Sequence, residues 1–140
     1  MADLIPLERT IGLITGLMAE QESQAFQREG FSELSMRQVT HLDAIIRLGH
    51  PSFGELAQAL GITRPSVTAI VGKLTRAGYV EKVQDPEDHR SFHIVLTEKG
   101  RAFTKVHRSM HQRIARALVT RLNAEEVKQL TGLLKKITSG

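Results

Sequence analysis

Cysteine and tryptophan are absent from the 140-residue sequence, and aromatic residues make up only 4% of it. Without cysteine the chain has no disulfide, no thiolate metal ligand and no thiol nucleophile. Few aromatic rings are present to stack on the bases of single-stranded nucleic acid. We therefore expect an interior built from aliphatic side chains.

Long apolar runs are missing as well. No stretch approaches the roughly 20 apolar residues of a membrane-spanning helix. The first ten residues, MADLIPLERT, lack the basic segment and the apolar segment of an export signal. We therefore expect a cytoplasmic protein with no membrane partner.

Acidic residues are absent from one long segment of a chain whose net charge is +4. No Asp or Glu occurs between Leu56 and Val80, whereas three basic residues do. A net positive charge permits an anionic partner without requiring one, so the local distribution is the more informative signal. This segment is the candidate for contact with a polyanion.

The same region, residues 52–78, has the pattern of two short helices joined by a tight turn. Ser52, followed three residues later by Glu55, predicts a capping box at the start of the first helix. Gly61 lies where a left-handed C-terminal cap is needed, and Thr63 can cap the second helix. The residues at the positions where a helix-turn-helix locks its two helices together are small or apolar: Ala57, Gly61, Val67 and Ile70.

The outer side of the second helix, predicted over about residues 64–77, carries small, polar and basic residues that fit a major groove. Arginine can form two hydrogen bonds with guanine, whereas lysine more often contacts phosphate. The residues predicted to contact DNA in this region are Ser52, Thr63, Arg64, Pro65, Ser66, Thr68, Lys73 and Arg76.

After Gly78 the hydrophobic period changes from that of a helix to that of a strand. Residues 79–84 and 91–97 are predicted as two strands, joined by the polar turn Asp85–Arg90. A hairpin directly after a reading helix is typical of a winged helix. Arg90, with His89 beside it, lies near the tip of this wing and is predicted to reach the adjacent minor groove.

Helices are also predicted on both sides of this region. Capping boxes are expected at Ser35 with Gln38 and at Asn123 with Glu126. The apolar residues of the first helix form a stripe narrow enough to pack on a helix of a second copy. The predicted helices cover residues 6–29, 35–48, 97–122 and the segment after 123.

Together these elements predict a mainly α fold with a small β-hairpin wing, in a single domain over residues 1–140. Within it, residues 1–31 and 98–140 are predicted as dimerisation helices. Residues 34–97 are predicted as the winged helix-turn-helix, with the wing at about 79–97.

The order of these elements, together with four short motifs, resembles the MarR family of bacterial and archaeal transcription regulators. The resemblance covers nearly the whole chain. The motifs that carry it are Leu34–Gln38, Phe53–Ala57 with Ser66–Thr68, Asp85–Arg90 and Leu96–Gly100.

The resemblance implies a homodimer that binds a palindromic operator in double-stranded DNA. We expect a repressor, rather than an activator, that needs no cofactor and is relieved or modulated by a small ligand. It also implies a wing pattern Asp-x-Arg-Asp-x-Arg, in which an aspartate steadies an arginine in the minor groove. Asp85, Asp88 and Arg90 match this pattern, whereas Glu87 replaces the inner arginine. Asp85 and Asp88 are therefore expected to support the wing by holding Arg90 in place.

Two alternatives for an effector remain open. His107 and His111 lie four residues apart on one helix, and with His41 and either Glu20 or Glu22 they are a candidate zinc site. This set looks like that of the zinc-sensing branch of the family, although such a histidine pair is often only surface. The other candidate is an aromatic acid in the cleft between the dimer helices and the winged helix.

Two other classes of function are less consistent with the sequence. An enzyme is not predicted, because the chain has no glycine-rich phosphate loop, no nucleophile elbow and no paired carboxylates in an apolar setting. A winged helix that binds another protein is a remote alternative. The acid-free reading helix and Arg90 favour DNA instead.

Overall fold

The computed structural model describes residues 4–31 and 33–139. Residues 1–3 and 140, which belong to the predicted dimerisation segments, lie outside the described residues. The elements in chain order are α1 (Ile5–Glu29), α2 (Met36–Leu48), α3 (Phe53–Leu60), α4 (Arg64–Arg76), β1 (Val80–Gln84), β2 (Phe92–Leu96), α5 (Glu98–Val119) and α6 (Ala124–Thr138). The predicted mainly α fold with a β-hairpin is confirmed.

The chain divides into two compact units. One contains the residues up to Gln24 and those from Arg108 onward, and the other contains Ala25–His107. The second unit holds the helix-turn-helix and the hairpin. Among the helices described, none is both long enough and apolar enough to cross a membrane.

Local capping chemistry explains where most helices begin. Ser35 and Gln38 form the reciprocal capping box at α2, with the Gln38 N–H donating to Ser35 Oγ at 3.2 Å and the Ser35 N–H donating to Gln38 Oε1 at 2.9 Å. Asn123 and Glu126 form the equivalent box at α6. Thr63 Oγ1 accepts from the Ser66 N–H at 3.3 Å and so caps α4.

Two predicted details are wrong. At α3 only half of the capping box is described: Ser52 Oγ accepts from the Glu55 N–H at 3.1 Å. The raised pKa of His93 of the hairpin has the bond to Asp85 as its chief cause, and the negative charge of Glu55 makes the smallest contribution to it. Helix α5 ends at Val119 rather than at Leu122, because the Leu122 N–H bonds to the Val119 carbonyl at 3.0 Å and turns the chain toward α6.

The interior of the second unit is not purely aliphatic, contrary to the expectation from composition. Phe26, Phe31, Tyr79 and Phe103 form one cluster, with ring centroids 5.4 to 6.1 Å apart. All four are buried. Four of the six aromatic residues of the chain are thus placed together, where their large surfaces contribute most to burial.

The hairpin is held on the helix-turn-helix by main-chain contacts. Strands β1 and β2 pair antiparallel, with Val80 opposite Leu96 and Gln84 opposite Phe92. The Ile94 N–H of β2 donates to the Pro51 carbonyl at 2.8 Å, next to an isolated bridge to Ser52. The start of α3 and the second wing strand are therefore joined through the main chain.

Polar side chains also join the start of the hairpin to α5. Lys99 Nζ lies 3.1 Å from Glu33 Oε1 and 4.5 Å from the centre of the Tyr79 ring. The Tyr79 hydroxyl donates to the same Glu33 oxygen. This bond is the main cause that lowers the pKa of Glu33, while burial, followed by the Glu33 contact, raises the pKa of Tyr79.

We expect Tyr79→Phe to lower the free energy of unfolding by about 1 kcal/mol, since it removes one hydrogen bond and keeps the buried ring. Because the pKa of Glu33 is lowered in the folded state, the contribution is present above the ordinary carboxyl pKa and is lost as the pH falls through the folded value. Urea unfolding of both proteins at pH 7 and pH 3 measures this. A difference that is equally large at both pH values would contradict the assignment to an ionised Glu33.

Candidate nucleic-acid interface

The outer side of α4 is exposed and carries no carboxylate. Arg64, Ser66, Thr68, Lys73 and Arg76 are all exposed. The inner side of the same helix packs into the unit through three buried residues, Val67, Val71 and Leu74. The structure therefore presents the basic side of α4 to solvent.

Several hydroxyl groups on this helix are already engaged. Thr63 Oγ1 and Ser66 Oγ lie 2.9 Å apart, and the Thr68 hydroxyl donates to the Arg64 carbonyl at 3.1 Å. Thr63 is therefore occupied with capping α4. Pro65, in the first turn, is exposed and needs no intrahelical N–H bond.

The structure brings Arg64 and Arg90 together, although 26 residues separate them in the sequence. Both line a cavity of about 180 Å³ at the N-terminus of α3, and no carboxylate shares it. Ser52, the N-cap of α3, lines it too. Two arginines that line one cavity at a helix N-terminus form a setting suited to a phosphate group.

Gly54 belongs to this cavity and was not among the predicted contacts. A Cβ atom at this position would lie 2.8 Å from Arg64 Nη2. The bare glycine therefore lets the guanidinium lie against the first turn of α3. Its place in the Phe53–Ala57 motif was the only sequence signal for it.

The turn of the hairpin is shaped by two aspartates through the main chain. Asp85 Oδ1 accepts from the Glu87 N–H at 2.8 Å and from the Asp88 N–H at 3.4 Å. Asp88 accepts from the Arg90 N–H at 3.1 Å and from the Ser91 hydroxyl at 2.9 Å. In the described bonds, the aspartates thus contact the backbone near Arg90 rather than its guanidinium.

The other predicted wing contact, His89, is exposed. Its carbonyl accepts from Gln84 Nε2 at 2.6 Å, which closes the base of the turn. A neighbouring residue that the sequence did not single out, His93, is bound to Asp85, with His93 Nε2 donating to Asp85 Oδ2 at 2.9 Å. This bond is the main cause that raises the pKa of His93 and lowers the pKa of Asp85.

A larger cavity of about 710 Å³ lies between α2 and α4. Arg37, His41 and Lys73 line it, together with apolar and small polar residues and no acid. Burial, helped by the charge of Arg37, lowers the pKa of His41. The cavity therefore combines cations with apolar walls, the composition that an organic anion requires.

The candidate zinc ligands are distributed over both units. His107 stacks on Phe103 with ring centres 5.5 Å apart, and its Nδ1 lies 3.6 Å from Asp43 Oδ1. Burial raises the pKa of Glu22, and the charge of His111 opposes this rise. Over residues 4–31 and 33–139, no group of three or more His, Asp or Glu side chains is placed to hold a metal ion. The zinc site of His41, His107 and His111 with Glu20 or Glu22 stays a sequence-based prediction.

Comparison with known proteins agrees with this architecture. A family model described as "MarR family" matches residues 32–91. The chain is 34% identical over 96 residues to an uncharacterised helix-turn-helix regulator, YkoM of Bacillus subtilis, covering 68% of this chain and 62% of that protein. It is 33% identical to the transcriptional repressor MprA of Escherichia coli (61% of this chain and 48% of that protein) and 32% identical to the homoprotocatechuate degradative operon repressor of the same species (60% and 57%).

The matched segment thus spans about half to three fifths of the length of these relatives. They are named as regulators or repressors, in agreement with the prediction that the chain is not an enzyme.

Solved structures extend the likeness to nearly the full chain. FabT of Streptococcus pneumoniae, in complex with DNA, superposes with a TM-score of 0.80 at 22% identity, over 94% of this chain and 92% of that one. A mutant of MarR from Escherichia coli, complexed with operator DNA, superposes with a TM-score of 0.64 at 26% identity, over 98% and 99%. With its motifs, its fold and these relatives in agreement, the chain belongs to the MarR family of winged helix-turn-helix regulators.

Proposed function

We propose that this protein is a transcription regulator that binds specific sites in double-stranded DNA, with α4 in the major groove and the hairpin in the adjacent minor groove. The observation that carries the proposal is the convergence of Arg64 and Arg90 at the start of α3, beside the acid-free outer side of α4. Two exposed cations at one helix N-terminus are suited to the phosphate backbone.

The side chains of this surface divide into two roles. Arg64, Ser52 and Lys73 contact phosphates, which positions the protein. Ser66, Thr68 and Arg76, together with Pro65 in the first turn of α4, face the base edges. At the wing, Arg90 enters the minor groove, with His89 beside it.

A homodimer accounts for the exposed apolar residues of the first unit. Helix α1 leaves a row of large apolar side chains in solvent, and α6 leaves another, which is costly unless a partner covers them. A second copy meets this need with the same surface, and two reading helices then face two half-sites of a palindrome. The exposed residues are Leu4, Ile5, Leu7, Ile11, Leu13, Ile14, Met18, Leu133, Leu134 and Ile137.

The experiment that tests the proposal is selection of bound fragments from genomic DNA with the purified protein, followed by binding isotherms on the selected site and on a random duplex. We expect tighter binding to the selected site, a palindromic consensus, and affinities for both duplexes that fall as the salt concentration rises. Binding that shows no salt dependence and no preference for any duplex would contradict the proposal and favour a winged helix that binds protein.

The protein is also proposed to act as a repressor that an aromatic acid releases from DNA. The supporting feature is the cavity between α2 and α4, because Ser66 and Lys73 line it and also belong to the DNA-facing side of α4. A carboxylate bound there competes with phosphate for Lys73. This location lies within one unit and differs from the cleft between dimer helices and winged helix that the resemblance suggested.

Benzoate, the simplest aromatic acid, is expected to weaken binding to the selected site, and Arg37→Ala is expected to reduce that effect roughly tenfold by removing one charged partner of the carboxylate. Competition measured by fluorescence anisotropy gives the inhibition constants for both proteins. Arg28→Ala, on α1 and outside the cavity, is the matched control. Equal inhibition of all three proteins would place the effector elsewhere.

A further inference from the structure

His93 has an acceptor at each of its two ring nitrogens. Its Nε2 lies 2.9 Å from Asp85 Oδ2, and its Nδ1 lies 3.1 Å from the main-chain carbonyl of His50. A neutral imidazole carries a single N–H and donates only one hydrogen bond. The lone pair of its other nitrogen would then point at the lone pairs of an acceptor oxygen. Only the doubly protonated ring satisfies both contacts.

The charged groups around His93 favour the same state. Asp85, at the end of β1, contacts the ring directly, and Glu55, on α3, contributes a further negative charge. The third neighbour, His50, presents its carbonyl from the loop between α2 and α3. In agreement with this geometry, the pKa of His93 is raised above its ordinary value of 6.5, chiefly by the bond to Asp85, although partial burial opposes the rise.

The two partners of His93 lie beside different parts of the surface proposed to contact DNA. Asp85 is the residue whose Oδ1 accepts the Glu87 and Asp88 N–H groups and so shapes the turn before Arg90. His50 directly precedes Pro51 and Ser52, which pair with β2 and lead into α3. The ring of His93 therefore joins the wing turn to the start of the helix-turn-helix.

We infer that His93, in its protonated form, is a positioning residue that holds the wing turn and Arg90 in register with α3, so that DNA binding is strongest below neutral pH. The inference rests on the proposed function, since it concerns affinity for DNA. When His93 loses its proton, it keeps one of its two partners, and the wing turn is no longer tied to both the hairpin and the α2–α3 loop.

The sign of the pH effect follows from the two titrations. A raised pKa for His93 means that its contribution is complete below the ordinary histidine pKa of about 6.5 and is lost as the pH rises through the higher folded value. A lowered pKa for Asp85 means that its contribution persists above the ordinary carboxyl pKa of about 4 and is lost only as the pH falls through the lower folded value. His93 and Asp85 are therefore both charged between the lowered pKa of Asp85 and the raised pKa of His93.

The test compares the wild type with His93→Gln on the selected DNA site, from pH 5.5 to 8.5 at constant ionic strength. Glutamine can still donate one hydrogen bond but does not titrate. At pH 5.5 we expect the variant to bind roughly three- to tenfold more weakly than the wild type, with the difference shrinking toward pH 8.5. Circular dichroism at each pH verifies that both proteins are folded.

A second measurement reports on the pair without DNA. Titration of the ring signal of His93 by NMR is expected to give a pKa above 6.5 in the wild type and a lower pKa in Asp85→Asn, in which the carboxylate is neutralised. A purely structural role for the ring would not produce this shift.

The outcomes separate the two proposals. If the wild type binds DNA and His93→Gln shows the same pH profile, the inference about His93 is overturned and the proposed function stands. A His93 pKa at or below 6.5 in the wild type also overturns it. If the wild type binds no duplex at any pH, the proposed function fails, and the role of His93 in DNA binding fails with it.

Discussion

Replacing Gly100 by alanine is expected to lower the free energy of unfolding by about 3 kcal/mol or more, the largest effect we predict for a single methyl group. Gly100 lies in the first turn of α5, and a Cβ atom there would stand 2.1 Å from the carbonyl oxygen of Tyr79. That oxygen also accepts the Thr97 N–H at 3.0 Å, so it cannot move away without breaking the junction between the hairpin and α5. Urea unfolding at 25 °C measures the change.

Gly132→Ala is the matched control for this variant. Gly132 lies inside α6, where an added Cβ atom meets nothing within 4 Å in the described structure. Alanine is the better helix former by about 1 kcal/mol, so the control is expected to be neutral or stabilising. A loss below about 0.5 kcal/mol in Gly100→Ala would show that the junction can rearrange, and would contradict the packing described for it.

Removing both arginines that line the cavity beside the start of α3, Arg64 and Arg90, is expected to have the largest effect on DNA binding. For the double variant Arg64→Ala with Arg90→Ala, we expect affinity for the selected site to fall roughly 100-fold at physiological salt, since each lost contact costs about 1 to 3 kcal/mol. The slope of log affinity against log salt is expected to fall by about two units per protomer, because two cations near phosphates are lost. For Arg90→Ala alone, the expected fall is about one unit.

Arg28→Ala, which removes one positive charge from α1, controls for the general effect of net charge in the Arg90→Ala variant. Arg64 and Arg90 are both exposed in the structure, so their replacement should leave the unfolding free energy within about 0.5 kcal/mol of the wild type. An unchanged isotherm and salt slope in the double variant would remove this surface from the interface. A reduced affinity with an unchanged slope would instead assign the two residues to bases rather than phosphates.

Much of the fold was predictable because its signals are local. The boxes at Ser35 with Gln38 and at Asn123 with Glu126 are formed as predicted, since capping depends on residues three apart on one helix. Gly61 adopts the left-handed cap for the same reason, with φ of 64°. The change of hydrophobic period after residue 78 correctly located the hairpin.

Predictions that depend on competition between partners were less successful. Glu55 has the spacing of a capping box with Ser52, yet it also contributes to the charge environment of His93, a residue 38 positions away. The composition of the chain likewise suggested an aliphatic core, but composition carries no information on where six aromatic residues meet. The end of α5 was misplaced by three residues, since no strong stop signal precedes Asn123.

By itself, the sequence determined the helices, the wing, the acid-free reading surface and the family, because spacing and residue type act over a few positions of the chain. Only the tertiary structure decided that Arg64 and Arg90 line one cavity with Gly54, that His93 faces both Asp85 and the His50 carbonyl, and that Tyr79 leaves no room for a side chain at position 100. These contacts join residues that are distant in sequence, and each depends on how β2 packs on α3 and how α5 follows it. The spacing along a chain contains no such information.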